Sequence, residues 1–557
     1  MLGTCRQCET QFKISETEKF FYRKVSPVIR GVVYPIPVPT LCLLCREQRR
    51  LAFRNERKLY TRRCHFTGKE ILSIYSSDKP YVVYDQAVWW SDQWDPLNYG
   101  KEYDFSRSFF AQFQDLLLTV PKIALVVGKN ENSYYNNFLA DCKNCYMILG
   151  WGEYCEDCYY GRFVNNCKDC VDITYTYNSQ LCYQCIDVDQ CYNCQYLTSC
   201  RSCVDSYFLE NCINCQNCFG CLNLNNKQYC IFNQQYTADG YEQKLKTLLN
   251  LTFEAVAQIK VQLDNLKRTV PQKFYHGFNI ENCTGDYLQS CKNAQHCFSV
   301  NSLEDTLNIS DCFEMTDSMD CTIAGGNDSQ LSYECTSFTG QSCSFVNLSW
   351  YCNNLMYCQE CFNNCANCFG CVGLRHKEYC ILNKQYTKEQ YEELLPKVIA
   401  HMQKTKEWGE FFPIELSAFA YNETLAQEYY PLTREQVVGN KWNWKENDSK
   451  ECQVQTYEVP MDIELVSDAI CHNILACEKC TKNYRIVKPE LAFYRRMSLP
   501  IPRQCPDCRH QVRNERKNPR KLWTRVCMKC NKTLQTTFAP NRPEVIYCED
   551  CYLLVTY

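Results

Sequence analysis

The sequence contains little glycine and proline, 19 residues of each among 557, and only seven histidines. With 14% aromatic residues, this composition indicates a folded chain rather than a disordered one. No stretch approaches the ~20 apolar residues of a membrane-spanning helix. The opening residues, MLGTCRQCETQ, show neither the basic segment nor the apolar core of a secretory signal. We therefore expect a cytoplasmic protein that is not attached to a membrane.

Catalytic motifs are also missing. The sequence shows no catalytic triad pattern, phosphate-binding loop or HExxH motif, and histidine is scarce. The net charge is only -3, so the molecule as a whole does not attract nucleic acid by bulk electrostatics. We expect a binding or scaffold protein rather than an enzyme.

Cysteine, in contrast, is abundant, with 46 residues. Disulfide bonds, metal sites and thiols packed as small apolar side chains are the three possible uses. A reducing compartment keeps thiols free, and Cys-x-x-Cys pairs there indicate zinc before disulfides. Metal binding or thiol packing is therefore favoured over disulfide bonding.

The two ends of the chain are copies of each other. Residues 37–64 match residues 500–527 without a gap, at a shift of 463, so that Cys42 matches Cys505. Two Cys-x-x-Cys pairs can hold one zinc ion in a tetrahedron of four thiolates, as in zinc ribbons, and such a closed site stabilises a fold without catalysing a reaction. The spacing predicts three zinc ions, bound by Cys5, Cys8, Cys42 and Cys45, by Cys477, Cys480, Cys505 and Cys508, and by Cys527, Cys530, Cys548 and Cys551.

A fourth ribbon has degenerated at the N-terminal end. Cys64 matches Cys527, but Thr67, Asp85 and Val88 occupy the positions of the other three cysteines. Either Cys64, His65 and Asp85 hold a metal ion with poor geometry, or the site is lost and the following aromatic cluster, WWSDQWD, replaces it by packing. The loss of the site is the favoured interpretation.

Basic segments follow the second Cys-x-x-Cys pair at both ends, and their spacing suits a helix. Arginine-rich helices with a nearby aromatic residue suit phosphate contacts and base stacking. A solvated helix face and an acidic protein partner remain alternatives. The candidate contact residues are Arg46, Arg49, Arg50, Arg54, Arg57, Arg509, Arg513, Arg516, Arg520 and Trp523.

The middle of the chain contains two cysteine-rich repeat regions. NCQNCFGC at Asn214 returns as NCANCFGC at Asn364, and cysteines recur at regular intervals in both regions. A fixed period of roughly 21 to 25 residues, in short runs without helical periodicity, predicts a parallel β-solenoid with one turn per period. Asn or Asp precedes many of the cysteines and tolerates the left-handed corners of such a fold. These residues are Asn144, Asn166, Asp169, Asn193, Asn211, Asn214, Asn282, Asp311 and Asp320.

The thiols of the repeat regions have several possible roles. Cys182 is replaced by Ser332 in the second region although the repeat continues. A small buried filler tolerates this change, whereas a metal ligand does not. Packed thiols are therefore favoured, and additional zinc ions or disulfides are the alternatives.

These observations predict a mainly β protein in which two cysteine-rich parallel β-solenoids (β-helices) with capping helices lie between terminal zinc-ribbon modules. Thr387 and Gln390 form a capping box at the start of the second capping helix. The predicted divisions are an N-terminal ribbon with a degenerate second ribbon (1–95), a helical connector (96–129), the first repeat region (130–236), a capping helix (237–270), the second repeat region (271–386), a capping helix and connector (387–470), and tandem zinc ribbons (471–557).

The sequence also resembles a cysteine-rich family of predicted proteins from uncultivated bacteria with reduced genomes. The resemblance spans nearly the whole chain. It rests on CFGC…KxYCIxNxQYT at Cys218 and Cys368, WWSDQWDPLNYG at Trp89, GEFFPIELSAFAYNE at Gly409 and CPDCRHQ…NPRKLWTRVC at Cys505. It implies zinc ribbons around a repeat region. In that family a CQEC pair occupies the position of Asp85 and Val88, from which this chain departs.

The leading functional hypothesis is a zinc-binding scaffold whose arginine helices contact nucleic acid, RNA in particular, or an acidic protein. The alternative is a thiol redox protein or a metal-storage protein that uses its Cys-x-x-Cys pairs.

Overall fold

The computed structural model describes residues 1–249, 251–281, 283–292, 297–304, 315–324, 329–446 and 452–556. The chain forms two compact units, which we call module 1 (Met1–Leu125 and Gly277–Glu446) and module 2 (Val126–His276 and Asn447–Tyr557). Each module therefore combines one repeat region with the ribbon from one end of the chain. Module 1 contains the N-terminal ribbon and the second repeat region, and module 2 contains the first repeat region and the C-terminal ribbons.

Helices are short and lie outside the repeat regions. The α-helices of the described residues are α1 (Glu16–Lys24), α2 (Leu43–Leu51), α3 (Gln86–Trp89), α4 (Phe109–Thr119), α5 (Ala238–Leu248), α6 (Phe253–Lys267), α7 (Lys388–Lys404), α8 (Leu425–Tyr429), α9 (Arg434–Gly439), α10 (Lys488–Arg496), α11 (Pro506–Glu515) and α12 (Glu549–Thr556). Single 3-10 turns occur at Pro96–Tyr99, Ile414–Leu416, Tyr421–Glu423, Ile463–Leu465 and Asp468–His472.

The first repeat region consists of two parallel sheets whose strands alternate along the chain. The six-stranded sheet contains Asn137–Ala140, Leu149–Glu153, Arg162–Asn165, Thr174–Tyr177, Ile186–Asp189 and Thr198–Arg201. The ten-stranded sheet contains Asn130–Glu131, Cys142–Lys143, Glu156–Tyr159, Lys168–Val171, Gln180–Tyr183, Tyr192–Gln195, Val204–Tyr207, Gln216–Phe219, Gln228–Ile231 and the antiparallel edge strand Gln234–Gln235.

The second repeat region forms a twelve-stranded sheet that is parallel up to its last hairpin. Its strands are Gly277–Phe278, Gly285–Lys292, Cys297–Glu304, Met315–Met319, Thr322–Ala324, Ser329–Tyr333, Thr336–Gln341, Asn347–Met356, Gln359–Cys361, Ala366–Phe369, Cys380–Ile381 and Lys384–Gln385.

Small two-stranded sheets complete the fold. The antiparallel pairs are Leu2–Thr4 with Gln11–Lys13, Val28–Ile29 with Val32–Val33, Tyr60–Arg63 with Glu70–Ser73, Leu475–Ala476 with Asn483–Tyr484, and Trp523–Val526 with Thr533–Thr536. The parallel pairs are Val83–Tyr84 with Lys122–Ile123, and Gln272–Lys273 with Ile546–Tyr547.

The repeat is shorter than the sequence analysis predicts. Lys168 pairs with Gln180, which pairs with Tyr192, so neighbouring strands are twelve positions apart along the chain. Cys155, Cys167, Ser179, Cys191 and Cys203 follow one another at steps of twelve, so almost every step of this row holds a cysteine. The predicted period is wrong because it counts two steps as one.

The corner positions follow the prediction. Through most of the first repeat region every third residue has a positive φ, as at Asn166 (50°), Asp169 (53°) and Asp172 (58°). The predicted Asn144, Asn193, Asn211, Asn214 and Asp320 also have positive φ, whereas Asn282 and Asp311 lie outside the described residues. Asn and Asp accept this left-handed conformation more readily than other L-residues because their short side chains bond locally.

The residue after each corner points into the core. Cys158 donates its Sγ hydrogen to the carbonyl oxygens of Glu156 (3.4 Å) and Cys167 (3.4 Å), two residues before it and nine after it. The same pattern recurs along both repeat regions, for example at Cys343. The thiols therefore fill the core as small side chains and also bond to the backbone of the next strand.

A helix follows each repeat region, as predicted. Helix α5 packs Tyr241 against Tyr229, with ring centroids 5.8 Å apart, and α7 packs Tyr391 against Tyr379 at 5.7 Å. The capping box of Thr387 and Gln390 at the start of α7 is confirmed. These aromatic contacts cover the last strands of each sheet.

Candidate metal centres and basic surface

Each Cys-x-x-Cys pair at the start of a ribbon lies in the turn of a hairpin. In the first ribbon the N–H of Glu9 donates to the carbonyl oxygen of Cys5 (3.0 Å), and Glu9 takes a left-handed φ of 60°. The corresponding bonds from Thr481 to Cys477 (2.8 Å) and from Asn531 to Cys527 (2.9 Å) reproduce this turn. The local backbone thus places two thiols side by side.

The second pair of each site begins a helix. Cys42 is the N-cap of α2 and Cys505 the N-cap of α11, and Cys548 directly precedes α12. Thiolates at these positions are stabilised by the backbone N–H groups and the dipole of the helix. The hairpin turn and the helix start together supply four sulfur atoms.

All three predicted four-cysteine groups are assembled. In each group the four Sγ atoms lie within 4.8 Å of one another. The closest pairs across the two halves are Cys8 and Cys42 (3.6 Å), Cys480 and Cys505 (3.7 Å), and Cys530 and Cys548 (3.6 Å). A tetrahedral ion with metal–sulfur bonds of ~2.3 Å requires sulfur atoms about 3.8 Å apart. The three groups therefore fit a tetrahedral metal ion, and four sulfur ligands suit zinc or iron.

The degenerate ribbon retains the backbone of a metal site without its ligands. Gly68 donates to the carbonyl of Cys64 (2.9 Å), and the N–H of Asp85 donates to Cys64 Sγ at 3.2 Å, the distance that separates Cys548 N from Cys527 Sγ. The Asp85 carboxylate caps α3, and His65 Nδ1 accepts from the Val83 N–H. Among the described residues no group of three metal-binding side chains includes Cys64.

Aromatic packing occupies this part of module 1, as predicted. Trp89 is fully buried, and its ring lies 4.7 Å from that of Trp90 and 5.6 Å from that of Trp94. The Arg375 guanidinium lies over the rings of Trp89 (5.3 Å) and Trp94 (5.0 Å). A cation held over two indoles adds to the apolar burial of the cluster.

The arginines of α2 are buried rather than solvated. Arg46 is ion-paired with Asp320, and Arg49 contacts Glu334 (2.9 Å) and Glu410 (3.1 Å). Burial alone would lower the pKa of Arg46, but Asp320 reverses the effect and raises it well above its ordinary value. Each of these guanidinium groups therefore stays charged inside module 1, facing the second repeat region.

Helix α11 repeats this arrangement in module 2. Arg513 is 2.7 Å from the Asp172 carboxylate, and Arg509 is 3.0 Å from its other oxygen. Arg509 also donates to the hydroxyl of Tyr494 (2.8 Å) and lies 3.4 Å from Glu490. Burial opposes the charged form of Arg509, but Asp172 raises its pKa well above the usual value.

These contacts correct the predicted nucleic-acid surface. Six of the proposed contact residues have side chains that are buried in the structure, so they are not at a surface that a phosphate backbone could reach. They are Arg46, Arg49, Arg50, Arg54, Arg509 and Arg513. Arg57, Arg520 and Trp523 are half-buried, and Arg516 is exposed.

A different basic surface remains on the C-terminal ribbon. Residues 516–543 contain eight lysines and arginines and no acidic residue. Four of the cations are exposed and four half-buried: Arg516, Lys521, Lys529 and Lys532, and Lys517, Arg520, Arg525 and Arg542. The Lys521 ammonium lies 5.3 Å from the ring centroid of Trp523, and Val526 and Met528 are half-exposed beside them. The sequence analysis named Arg516, Arg520 and Trp523 of this surface but assigned them to the basic helix, which ends at Glu515.

Lys260 adjoins this surface beside Arg516, and both side chains are exposed. Arg516 donates to the hydroxyl of Thr198, and the Lys260 ammonium lies 5.2 Å from the ring centroid of Tyr196. Partial desolvation lowers the pKa of Lys260 to about 8; Arg516 contributes to the shift, and Asp264 opposes it.

Comparison with protein-family models, with curated proteins and with solved structures found no match. In the part of the chain that the structure describes, no helix combines the length and the apolar character needed to cross a membrane.

Proposed function

We propose that this protein is a non-enzymatic, zinc-stabilised scaffold that binds nucleic acid, RNA in particular, through its C-terminal ribbon. The observation that carries the proposal is the run of eight cations without an acidic residue at 516–543 beside Trp523, of which Lys532 and Arg542 are paired with Asp550 and Glu544. Exposed cations attract a phosphate backbone, and an aromatic ring beside them offers a stacking surface for a base. The buried arginines have a different role, since they hold ribbon and repeat region together within each module.

The scaffold consists of two β-solenoids. The strand register of twelve positions, the left-handed corner at every third residue and the Sγ bond to the carbonyl nine residues on all support one solenoid turn per strand step in the first repeat region. Each turn then contributes four corners and four inward side chains. Such a rod buries each turn against its neighbours only.

Zinc is the metal that we assign to the three four-cysteine groups. A closed set of four thiolates is typical of structural zinc, and the ribbon topology of a hairpin turn followed by a second pair is that of known zinc ribbons. We expect three zinc ions per chain by elemental analysis. Cys480→Ser should reduce the count to two, whereas the matched variant Cys64→Ser should leave it at three. A protein that contains no zinc would overturn the assignment.

Nucleic-acid binding is tested by removing cations from the ribbon surface. Replacing Lys517, Arg520, Lys521 and Lys529 by glutamine removes four charges, and each lost phosphate contact on a single strand reduces the slope of log affinity against log salt by about 0.7. The matched control replaces Lys388, Lys397, Lys404 and Lys406 of α7 and its C-terminal end, which changes the net charge equally. We expect weaker binding and a smaller slope of log affinity against log salt for the ribbon variant only.

The aromatic residue gives a second measurement. Trp523→Ala should weaken binding to single strands by about 1–3 kcal/mol and binding to duplex much less, because only an unpaired base can stack on the indole. Zinc content must equal that of the wild type in each variant of the basic surface and of Trp523. If the wild-type protein does not bind RNA or DNA at low salt, the proposal is wrong and an acidic protein partner takes its place. Turnover of a small disulfide by the intact protein would instead support the redox alternative.

A further inference from the structure

The two repeat regions present matching docking surfaces to the two arginine helices. In module 1, Arg50 Nε donates to Thr322 Oγ1 (2.8 Å), and its Nη1 lies 3.8 Å from Asp320. Asp320 and Thr322 belong to the segment MDCT, which corresponds to VDIT at residues 171–174 of the first repeat region. In module 1 an Asp-x-Thr segment therefore binds an arginine of α2.

Module 2 repeats this contact atom by atom. Arg513, which matches Arg50 at the shift of 463, donates from Nε to Thr174 Oγ1 (3.2 Å) and lies 2.7 Å from Asp172. The neighbouring aromatic pairs also correspond. Tyr22 and Tyr333 have ring centroids 5.3 Å apart, and Tyr494 and Tyr183 have centroids 5.8 Å apart.

The contacts of Glu334 differ between the two surfaces, and Arg50 also lies 3.6 Å from this carboxylate in module 1. Arg49 is paired with Glu334 in module 1, where the Glu334 side chain is 1% exposed. At the matching positions of module 2 the chain has Val512 and Gln184. A cation and its anion have thus been replaced together by two uncharged residues.

We propose that Arg49 and Glu334 are the pair that assigns the first ribbon to the second repeat region and excludes the ribbon of α11. The contacts of Arg46 and Arg50 with Asp320 and Thr322 recur as those of Arg509 and Arg513 with Asp172 and Thr174, and by these contacts alone either ribbon would fit either surface. If α11 docked on the second repeat region, Val512 would deprive Glu334 of its partner at 2.9 Å and leave it the guanidinium at the position of Arg50, which is 3.6 Å away in module 1. If α2 docked on the first repeat region, Arg49 would face Gln184.

Removing one partner of a buried ion pair shifts an equilibrium on the order of a hundredfold to a thousandfold, and the second guanidinium near Glu334 puts this pair at the lower end. Specificity between similar partners commonly rests on such a penalty for the wrong pairing. The pair therefore acts mainly against incorrect docking, either within one chain or with a second copy of it.

The test is a photo-cross-linking experiment on the full chain. p-Azidophenylalanine replaces Tyr22, the protein is unfolded with a chelator and refolded with zinc, and the cross-linked peptides are identified by mass spectrometry. In the otherwise wild-type chain we expect links to the strand of Tyr333. In the variant Arg49→Val with Glu334→Gln we expect a tenth or more of the links at the strand of Tyr183. Light scattering then distinguishes exchange within a chain from exchange between copies.

Two further variants keep the result decisive. Thr322→Val weakens a contact that both surfaces share. It should therefore destabilise module 1 and change the ratio of links at the strand of Tyr183 to links at the strand of Tyr333 less than tenfold. The reciprocal variant, Gln184→Glu with Val512→Arg, gives both surfaces the same pair and should also produce mixed links, even if the first variant fails to fold. Links confined to the strand of Tyr333 in either pair variant that folds would overturn the proposal.

Discussion

Asp172 provides a quantitative test of the buried ion pairs. Its side chain is fully buried, and its two carboxylate oxygens lie 2.7 Å from Arg513 and 3.0 Å from Arg509. Asp172→Asn keeps the shape of the side chain, and asparagine accepts the φ of 58° at this position. The substitution therefore removes a charge and turns one acceptor oxygen into an NH2 group that faces an arginine donor.

The expected cost follows from the environment of the two arginines. Breaking a buried pair by removing one partner typically costs about 3–5 kcal/mol, because an uncompensated charge remains in the interior. Arg509 retains Glu490 at 3.4 Å, whereas Asp172 is the acidic partner in the ion pair of Arg513. We therefore expect a loss near the lower end, about 3 kcal/mol, in the stability of module 2.

The measurement must resolve one module, since a chain with two compact units does not unfold in a single two-state transition. Native-state hydrogen exchange of the amides in the first repeat region gives the opening free energy of module 2 directly. The matched control is Glu156→Gln, which removes the exposed pair with Lys168 (2.8 Å, 42% and 48% exposed) and should cost at most about 1 kcal/mol. Equal losses for the two variants would refute the argument that burial makes the Asp172 contact strong.

Two other outcomes are expected. Cys194→Ser should be well tolerated, because Ser206 occupies the next position of the same row and donates to the carbonyl oxygen of Val204 (2.8 Å). Cys194→Leu should instead destabilise module 2 by roughly 1–3 kcal/mol through overpacking, as thermal unfolding would show. Between pH 8 and about 10 the stability of the wild type should rise relative to that of Lys260→Met, because the folded state releases the Lys260 proton near pH 8 while the unfolded chain holds it to about pH 10.4. Identical pH dependence of unfolding for wild type and variant would contradict this.

The metal centres are predictable from the sequence because their geometry is local. A Cys-x-x-Cys turn and a helix start each fix two sulfur atoms within a few residues, and only the meeting of the two halves depends on tertiary structure. All twelve cysteines assigned to the three sites are accordingly brought together. The corner residues are predictable for the same reason, since Asn and Asp express a local backbone preference.

The burial of the arginines could not be predicted in this way. Arg46 is paired with Asp320, which is 274 residues away along the chain. Neither segment alone indicates that the other neutralises its charge. A basic helix with its counterions elsewhere in the sequence looks like a solvated or nucleic-acid-binding helix. The predicted period is too long because it joins Cys142 to Cys167 and passes over Cys155, which lies one step from each.

One helix connects the candidate metal centre of the second ribbon with the buried ion pairs of module 2. Cys505 of the second ribbon is the N-cap of α11, and this helix of ten residues also contains Cys508, Arg509 and Arg513. A metal ion bound by the four cysteines would fix the start of that helix, and the helix in turn positions the guanidinium groups opposite Asp172. Removal of such an ion would free the helix and leave buried charges without partners. The free energy of metal binding would therefore stabilise the docking of the ribbon on the repeat region as well as the ribbon itself.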